Sequence, residues 1–350
     1  DVVLVEARDS DGRSGWGEAP TSWRVTGESH QSVTAAVEGP LTEAALGAHA
    51  DDPVGTSGLL ARSLVRNSAA RMAVGCALYD LAAQASGVPL YRYLGGDKGD
   101  VRTDMTLSAG LRAEDDDALI ATALRHRDAG FGTLKVKVGA GGDDVSLLRR
   151  VRAEIGADVA LRVDANQGWS AEQAVSVISA WEDAGLGIEL VEQPVAMDDL
   201  DALEFVTRHV NTPILADESV WTTRDLTDVV RRHAADMVNI KLAKTGGLSE
   251  ALRMAEVARQ NGVTLVVGCM MESHVGISAA ASLACAFEST GVSARGSAHD
   301  LDAGLWLKHS PVTGGAAYER GVGRLGDAAG LGISELAAAP HHWSAPLPAP

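Results

Sequence analysis

The fold is decided at residues 160–194, which read ALRVDANQGWSAEQAVSVISAWEDAGLGIELVEQP. The β-rich run Ala160–Asp164 ends in a carboxylate, and an amphipathic stretch follows at Ala171–Ala184. A second β-rich run, Ile188–Glu192, again ends in a carboxylate. A strand, a helix and a second strand of these lengths predict a βα unit in a parallel sheet.

The same alternation continues on both sides of this unit. We predict further strands at Thr133–Val138, Pro213–Asp217, Met237–Lys241 and Val263–Gly268, and further helices at Asp143–Ile155, Leu200–His209, Thr223–His233 and Leu248–Gln260. An ionisable residue recurs once per unit at a strand end, which favours a (β/α) barrel with its active site on the loops after the strands. A doubly wound open sheet is the alternative, but no Gly-rich phosphate turn stands out after its first strand.

The first hundred residues follow a different pattern. They contain a strand signal at Val2–Ala7, turn signals at Gly12–Gly17, and helix signals at Ser29–Leu46 and Ser68–Ala85. We therefore predict a separate α+β domain over residues 1–100, completed by the C-terminal segment 305–350, which returns to pack on it. The barrel domain takes residues 101–304, and His341–Pro350 reads as a loose end.

Composition excludes several classes of protein. The chain has 350 residues, 46% of them hydrophobic, which is enough for a large core and excludes a disordered chain. Its formal net charge of −17 argues against nucleic acid as a partner. No apolar run reaches the ~18 residues of a membrane span, so we expect no membrane partner and interpret Ala279–Phe287 as a buried helix.

The cysteines and the first residue bear on where the protein works. Cys76, Cys269 and Cys285 are too few and too scattered for a disulfide framework, which favours a reducing compartment and a cytoplasmic location. The chain starts at Asp1 inside the first predicted strand, so we expect that natural N-terminal residues precede it.

The first candidate catalytic motif is the Lys-x-Lys of Lys135 and Lys137. Side chains alternate across a strand, so both lysines share the face opposite Leu134 and Val136, and in a barrel that face is the interior. Two ammonium groups this close are expected to lower each other's pKa, which suits a lysine base. The alternative is a surface strand with two solvated lysines.

Three carboxylates end consecutive predicted strands, namely Asp164, Glu192 and Asp217. Buried in one ring, they would repel each other unless a cation neutralised them. An all-oxygen ligand set suits a hard divalent ion, with Mg²⁺ the first choice and Mn²⁺ the second. Three separate salt bridges or helix caps are the alternative.

Lys241 ends a later strand, with Asn239 on the same inward face. Lys137 and Lys241 would then lie on opposite sides of a bound substrate, which is the arrangement for removing a proton from one face of a carbon and returning one to the other. A solvated lysine at a strand end is the alternative. Lys244 comes after the strand, and we interpret it as a loop or rim residue.

Taken together, these residues resemble the enolase superfamily, and within it the muconate-lactonizing subgroup. The stretch Gly-Trp-Gly-Glu-Ala-Pro at residues 15–20 and the segment from Tyr79 to Gly96 are similar to the capping domain of that superfamily. The resemblance implies an α/β fold, a modified TIM-type (β/α)7β barrel with an α+β capping domain. It also implies lysine bases acting with Mg²⁺.

The roles implied by the resemblance can be assigned residue by residue. Asp164, Glu192 and Asp217 would ligate one Mg²⁺ per subunit, which holds the carboxylate of the substrate. Lys137 and Lys241 would form the acid/base pair, with Lys135 assisting.

The subgroup catalyses cycloisomerisation, syn-dehydration and racemisation or epimerisation through one kind of enolate, so other residues must indicate the reaction. Asp300 and Asp302 lie in what should be the last barrel strand and are expected on one face of it. This Asp-x-Asp resembles the element with which dipeptide epimerases hold the N-terminal amine of the substrate. A solvated or helix-capping pair is the alternative.

Side-chain recognition is predicted from the remaining candidates. Arg24 lies in a loop expected over the barrel mouth, where it would pair with a substrate carboxylate, as a cationic loop residue does in Ala-Glu epimerases. Next to Trp23, it would equally fit a surface position. The other predicted substrate contacts are Thr106, Cys269, Met270 and Glu272, although Met270 would also serve as core filling.

We therefore predict an isomerase, a Mg²⁺-dependent dipeptide epimerase that inverts the α-carbon of the C-terminal residue by two-base 1,1-proton transfer, with Ala-Glu-type dipeptides as candidate substrates. A muconate cycloisomerase, an o-succinylbenzoate synthase and an N-acylamino acid racemase are the alternatives at the same site. A non-catalytic scaffold and a Schiff-base aldolase fit the charged residues less well. The expected partners are a small-molecule substrate and other copies of the chain in a homo-oligomer.

Overall fold

The structure is a computed structural model that describes residues 1–107, 116–139 and 141–337. The strands are β1 (Val2–Arg8), β2 (Ser14–Pro20), β3 (Asp100–Arg102), β4 (Met105–Leu107), β5 (Thr133–Lys137), β6 (Ala160–Asp164), β7 (Ile188–Glu192), β8 (Ile214–Ala216), β9 (Met237–Lys241), β10 (Thr264–Gly268), β11 (Val312–Gly314), β12 (Ala317–Glu319), β13 (Val322–Arg324) and β14 (Ile333–Leu336). The helices are α1 (His30–Ala36), α2 (Thr42–Ala45), α3 (Pro53–Ser63), α4 (Ser68–Ala85), α5 (Leu90–Tyr93), α6 (Asp116–Asp128), α7 (Asp144–Ile155), α8 (Ala171–Asp183), α9 (Leu200–His209), α10 (Thr223–Arg232), α11 (Leu242–Thr245), α12 (Leu248–Asn261) and α13 (His274–Thr290). A π-helical turn lies at Val37–Leu41 and a 3₁₀ turn at Ala303–Trp306.

A parallel sheet of seven strands forms the barrel. The strand order from β4 to β10 follows the chain, and a helix connects each strand to the next. The predicted barrel is therefore confirmed, and the helix Leu200–His209 has the predicted bounds. The other predicted strands and helices of the barrel agree with the structure to within a residue or two at each end.

The segment that contains His299 and Asp300 closes the barrel between its first and last strands. His299 forms a parallel bridge with Thr103, and Asp300 forms one with Gly268. The expectation of a regular last strand is wrong, although Asp300 and Asp302 do lie on the same side of the segment, with side-chain oxygen atoms within 4.8 Å of each other. The backbone of Asp302 is helical, with φ −85° and ψ −7°, because the chain turns there into the 3₁₀ turn.

Helix α4 is buried along most of its length and carries the β1–β2 hairpin. The predicted turn segment Gly12–Gly17 is wrong in part, because Gly15 and Gly17 lie inside strand β2. A Cβ atom at Gly17 would lie 1.9 Å from the carbonyl oxygen of Ala73 on α4. These glycines therefore permit close packing of the strand on the helix, a use that looks like a turn signal in the sequence.

The predicted helix Ser29–Leu46 is broken in the structure. Helix α1 starts at a capping box in which Ser29 and Ser32 bond to each other's backbone N–H groups. The helix is interrupted at the π-helical turn, where Gly39 has non-helical dihedrals and is followed by Pro40. Helix α2 then continues only to Ala45.

The segment after the barrel returns to the first hundred residues. Strand β13 pairs with β3, and the backbone N–H of Leu331 donates to Asp80 Oδ1 in α4 at 2.8 Å. The backbone N–H of Leu90 donates to the carbonyl oxygen of Gly330 at 2.7 Å. The predicted loose end, His341–Pro350, lies outside the described residues.

The cysteines and the longest apolar helix lie in the interior. Cys76, Cys269 and Cys285 are all buried free thiols. The apolar stretch Ala279–Phe287 is buried within α13, as predicted. None of the helices in the described part of the chain has both the length and the apolar character that crossing a membrane requires.

Candidate active site

A cavity of about 320 Å³ opens at the carboxyl-terminal ends of the barrel strands. Its ionisable lining residues are Lys135, Lys137, Asp164, Asp217, Glu218, Lys241, Lys244, Cys269, Asp300 and Asp302. Its other lining residues are Val25, Thr106, Asn166, Met270, Met271, Ala303 and Trp306. The barrel thus brings together residues that are far apart in the sequence, on the face where barrel enzymes build their active sites.

Strand β5 directs both lysines of the Lys-x-Lys motif into this cavity. Leu134 and Val136 are fully buried, which agrees with the predicted alternation of the two faces. Lys135 is itself buried, with Nζ 2.7 Å from Asp300 Oδ2 and 3.3 Å from Glu192 Oε2. Its ammonium group therefore bridges two carboxylates at the base of the site.

Lys137 is the more accessible of the two lysines. Its side chain is 39% exposed, and its Nζ donates to Asp164 Oδ2 at 3.2 Å and to Asn166 Oδ1 at 2.6 Å. The ammonium group is therefore held on one side only and faces the cavity.

The expectation that neighbouring lysines lower each other's pKa is wrong for Lys135. Burial alone would lower the pKa of Lys135, but Asp300 and Glu192 raise it well above its usual value. Burial also acts to lower the pKa of Lys241, and Asp217 and Glu192 again outweigh it, so that this pKa is raised as well. Without a cation among them, the carboxylates around these lysines favour the charged form of both amines.

The three predicted metal ligands end neighbouring strands. Asp164 and Glu192 are paired in register on β6 and β7, and Asp217 directly follows β8. All three side chains are buried. Burial raises the pKa of Glu192, Lys135 counteracts it, and Asp164 and Asp217 add to the rise, which brings this pKa to about 8.

The donor chemistry of this group of carboxylates fits a hard divalent cation, although among the described residues its oxygen atoms are not gathered within 4.8 Å of one another, as those of Asp104, Asp300 and Asp302 are. Its donors are all oxygen atoms, which Mg²⁺ prefers in proteins. Burial is the main reason that the pKa of Glu192 is raised, and the negative charges of Asp164 and Asp217 add to the rise. A cation bound between the carboxylates would favour the ionised form of Glu192.

Lys241 and Lys244 both contact Asp217. The Nζ of Lys241 lies 2.7 Å from Asp217 Oδ2, and that of Lys244 lies 2.6 Å from Asp217 Oδ1. Burial would raise the pKa of Asp217, but the two ammonium groups lower it far below its usual value. The interpretation of Lys244 as a rim residue is wrong, because the short helix α11 turns its side chain back beneath the strand end, where it is 2% exposed.

A second acidic group lies beside the first. Oxygen atoms of Asp104, Asp300 and Asp302 all lie within 4.8 Å of one another, close enough to hold a cation. The Oδ2 atom of Asp302 accepts the backbone N–H of Thr106 at 2.8 Å and the indole N–H of Trp306 at 3.2 Å. These contacts hold Asp302 at the cavity wall.

The predicted substrate contacts divide into two sets. Thr106, Cys269 and Met270 line the cavity. Glu272 does not, because it is buried below the lining, with Oε1 accepting the backbone N–H of Met270 at 2.9 Å. Arg24 is exposed on its loop, where the neighbouring Val25 is the residue that reaches the cavity lining.

Sequence reasoning missed Asn166, Glu218 and Trp306 in the lining. Asn166 has a left-handed backbone with φ +41°, a conformation in which Asn is enriched. Its position two residues after Asp164 was a usable signal. Trp306 follows Asp302 in the 3₁₀ turn, which the sequence pattern did not predict.

The fold and the site define a barrel enzyme of the enolase superfamily with a capping domain. The description "Mandelate racemase / muconate lactonizing enzyme, N-terminal domain" matches residues 1–95, and "Enolase C-terminal domain-like" matches residues 118–337. The chain belongs to this mandelate racemase/muconate lactonizing enzyme family.

The individual proteins to which this chain is similar include named epimerases. The "L-Ala-D/L-Glu epimerase" of Bacillus subtilis (strain 168) is 40% identical over 333 residues, which cover 95% of this chain and 88% of that protein. A substrate-liganded structure of the Bacillus subtilis enzyme has a TM-score of 0.91 and covers 96% of this chain and 92% of that one. The predicted resemblance to dipeptide epimerases is confirmed.

Two further structures extend this comparison. The dipeptide epimerase of Enterococcus faecalis V583, in complex with Mg and L-Leu-L-Tyr, has a TM-score of 0.88 at 37% identity and covers 95% of this chain and 92% of that one. The dipeptide epimerase of Cytophaga hutchinsonii, in complex with Mg and D-Ala-L-Val, has a TM-score of 0.87 at 34% identity and covers 95% of this chain and 88% of that one.

Proposed function

We propose that this protein is a Mg²⁺-dependent dipeptide epimerase, an isomerase that inverts the α-carbon of the C-terminal residue of its substrate. The observation that carries the proposal is the meeting of Lys137 and Lys241 in one cavity that also contains Asp300 and Asp302. Two amines provide a base and an acid for a carbon, and two carboxylates provide a binding site for an ammonium group.

The lysines carry the proton transfer in this scheme. One of Lys137 and Lys241 removes the α-proton from one face of the carbon as a neutral amine, and the other delivers a proton to the opposite face from its ammonium form. Lys135, fixed between Asp300 and Glu192, adds positive charge where the substrate carboxylate gains negative charge. The reverse reaction exchanges the roles of the two bases.

Asp164, Glu192 and Asp217 would hold the Mg²⁺. The bound ion would supply positive charge that stabilises the negative charge developing on the substrate carboxylate. The structures of the dipeptide epimerases of Enterococcus faecalis and Cytophaga hutchinsonii are Mg complexes, which supports Mg²⁺ as the cofactor.

Asp300 and Asp302 form the proposed amine-binding pair. They lie on the side of the cavity next to Thr106 and Trp306, whose N–H groups orient Asp302 and leave its Oδ1 atom for a substrate ammonium group. Asp300 already contacts Lys135, so Asp302 would take the larger share of the contact with the substrate. An Ala-Glu preference has less support, because Arg24 is exposed.

The experiment is incubation with an L,L-dipeptide library in D₂O with Mg²⁺, followed by mass spectrometry. Deuterium gain at the α-carbon of the C-terminal residue is expected for the preferred dipeptides. Turnover of a muconate, an N-acylamino acid or a succinylbenzoate precursor without exchange in any dipeptide would reject the epimerase in favour of those alternatives.

We also propose the division into a capping domain, residues 1–100 with 305–350, and a barrel domain, residues 101–304. The pairing of β13 with β3 and the contacts of the segment around Gly330 with α4 and α5 support it in the described residues. A homo-oligomer stays a prediction, which sedimentation velocity would test.

A further inference from the structure

We propose that Asn166 is a positioning residue that holds the amine of Lys137 at one face of the substrate, with Glu218 as the support of Asn166. The inference rests on the proposed function, in which Lys137 acts at that face. It predicts that the loss of Asn166 slows proton transfer for one stereoisomer and not for the other.

The contacts of Lys137 show why it needs such a residue. A lysine ends in a point charge on a flexible four-carbon chain, so its position depends on its partners. The bond from Nζ to Asn166 Oδ1, at 2.6 Å, is shorter than that to Asp164 Oδ2, at 3.2 Å. With 39% of its side chain exposed, Lys137 receives less support from packing than the buried lysines of the site.

Two hydrogen bonds and the backbone conformation fix the position of Asn166. Its Nδ2 donates to Glu218 Oε1 at 3.2 Å, and its backbone N–H donates to Asp164 Oδ1 at 2.9 Å. Its left-handed backbone, φ +41°, directs the side chain away from the path of an extended strand. The amide thus links Lys137 on β5 to the loop after β8, which lies 52 residues further along the chain than Asn166.

Glu218 is suited to the supporting role. It is 9% exposed, and its backbone carbonyl accepts the indole N–H of Trp221 at 2.7 Å. Its Oε1 accepts a hydrogen bond from the side-chain amide of Asn166. The hydrogen bonds therefore run from the ammonium group of Lys137 to the amide of Asn166 and from this amide to the carboxylate of Glu218. Each group in this order donates to the next, which fixes the orientation of the amide.

The opposite base is held differently. Lys241 is 11% exposed and contacts Asp217 directly at 2.7 Å, with Lys244 on the same carboxylate. Asn166 makes no hydrogen bond to Lys241 among the described residues. Loss of the amide should therefore disturb one base and spare the other, an asymmetry that a general loss of structure would not produce.

The test uses Asn166→Gly in the full chain with Mg²⁺ and the preferred dipeptide. Glycine tolerates a positive φ, so the substitution removes the amide without straining the backbone. Asn67→Gly is the matched control, because Asn67 also has a positive φ, +48°, and is a half-buried residue outside the site. Exchange in D₂O is measured from each stereoisomer separately, and Lys137→Ala identifies the isomer that Lys137 serves.

We expect Asn166→Gly to slow exchange from that isomer by about 100-fold, which is the usual effect of a misplaced catalytic group. The exchange rate from the other isomer should change by less than about threefold. Asn67→Gly should match the wild type for both isomers. Mg²⁺ affinity, measured by calorimetry, should stay near the wild-type value. Equal slowing of both isomers, or a loss of Mg²⁺ affinity that accounts for the slowing, would overturn the positioning role.

A charge-conserving swap provides the second test. Asn166→Asp alone places two carboxylates side by side, so it should slow the same isomer. Adding Glu218→Gln restores a donor to the carboxylate at position 166 and should recover at least about tenfold of the lost rate. If the double variant is no faster than Asn166→Asp, the proposed support by Glu218 is wrong.

A crystal structure of Asn166→Gly tests the inference without any turnover. The Nζ of Lys137 should be displaced or disordered, and an unchanged Nζ position would overturn the inference. If the wild-type protein exchanges no dipeptide at all, the proposed function fails, while the crystal structure still decides whether Asn166 positions Lys137.

Discussion

At the scale of single residues, the two lysines are the most direct prediction. We expect Lys137→Ala and Lys241→Ala each to abolish epimerisation, because inversion needs a base on each face. Each variant should still exchange deuterium into one stereoisomer without inverting it, and the two variants should retain opposite isomers. Mass spectrometry combined with chiral chromatography measures both quantities. Full epimerisation in either variant would contradict the two-base scheme.

The amine-binding pair gives a second prediction at this scale. Asp302→Asn keeps the acceptor for Thr106 and Trp306 but removes the charge that faces the substrate ammonium group. Losing a hydrogen bond between charged groups should raise KM by about 10- to 100-fold, with a smaller change in kcat. Steady-state assays on a dipeptide and its N-acetyl form provide the control. The wild type should strongly prefer the free amine, and an unchanged preference in the variant would remove Asp302 from recognition.

The same residues mark the limit of inference from the sequence. Alternation along β5 correctly placed Lys135 and Lys137 on one face, because that rule is local. Lys244 and Asn166 were misread or missed because their partners, Asp217 and Glu218, come from other segments of the chain. Rules that use only neighbouring residues in the sequence cannot predict contacts between distant segments.

At the scale of elements, the packing of β2 on α4 leads to a prediction about stability. A Cβ added to Gly17 would lie 1.9 Å from the backbone oxygen of Ala73, which cannot move without shifting the helix. Gly17→Ala should therefore lower the free energy of unfolding by about 1–3 kcal/mol or more. Gly132→Ala is the matched control, because nothing lies within 4 Å of the added Cβ and the backbone φ is not positive. Equal denaturation midpoints for the two variants would show that the packing relaxes freely.

Elements with a strong period were easier to predict than those set by close packing. The barrel strands and helices have regular apolar patterns and local caps, such as the capping box of Ser170 and Gln173 on α8. The end of the barrel has neither, since a single bridge on each side holds His299 and Asp300 in place. The sequence pattern therefore does not predict the 3₁₀ turn that begins at Ala303, and only the structure shows it.

At the scale of the whole molecule, cation binding should stabilise the folded state. A ligand that binds only the folded chain adds about 2.7 kcal/mol to the free energy of unfolding at 100 times its Kd. We expect the thermal midpoint to rise with Mg²⁺ and EDTA to reverse the rise and stop turnover. The two acidic groups can be separated, because Glu192→Gln should remove the Mg²⁺ effect and Asp104→Asn should keep it. The opposite pattern would place the ion at Asp104, Asp300 and Asp302.

Stability should also depend on pH through Glu272, which lies where the capping domain meets the barrel. Burial, and then the nearby carboxylate of Glu18, raise the pKa of Glu272 from about 4.5 to about 8. Its Oε2 atom has no hydrogen-bond partner among the described residues. Between pH 4.5 and pH 8, the folded state therefore holds a proton on Glu272 that the unfolded chain has already released.

Because the folded state holds the extra proton, the free energy of unfolding must fall as pH rises through that window, by up to about 1.4 kcal/mol per pH unit. The Gln side chain of Glu272→Gln has no proton to release. The free energy of unfolding of this variant should therefore increase steadily relative to that of the wild type from pH 5 to pH 8. Urea denaturation at several pH values measures the difference, and Glu335→Gln, an exposed carboxylate, is the control. A constant difference between Glu272→Gln and wild type across this range would mean that Glu272 is ionised in the folded protein, and its negative charge would then have to be balanced within the domain junction.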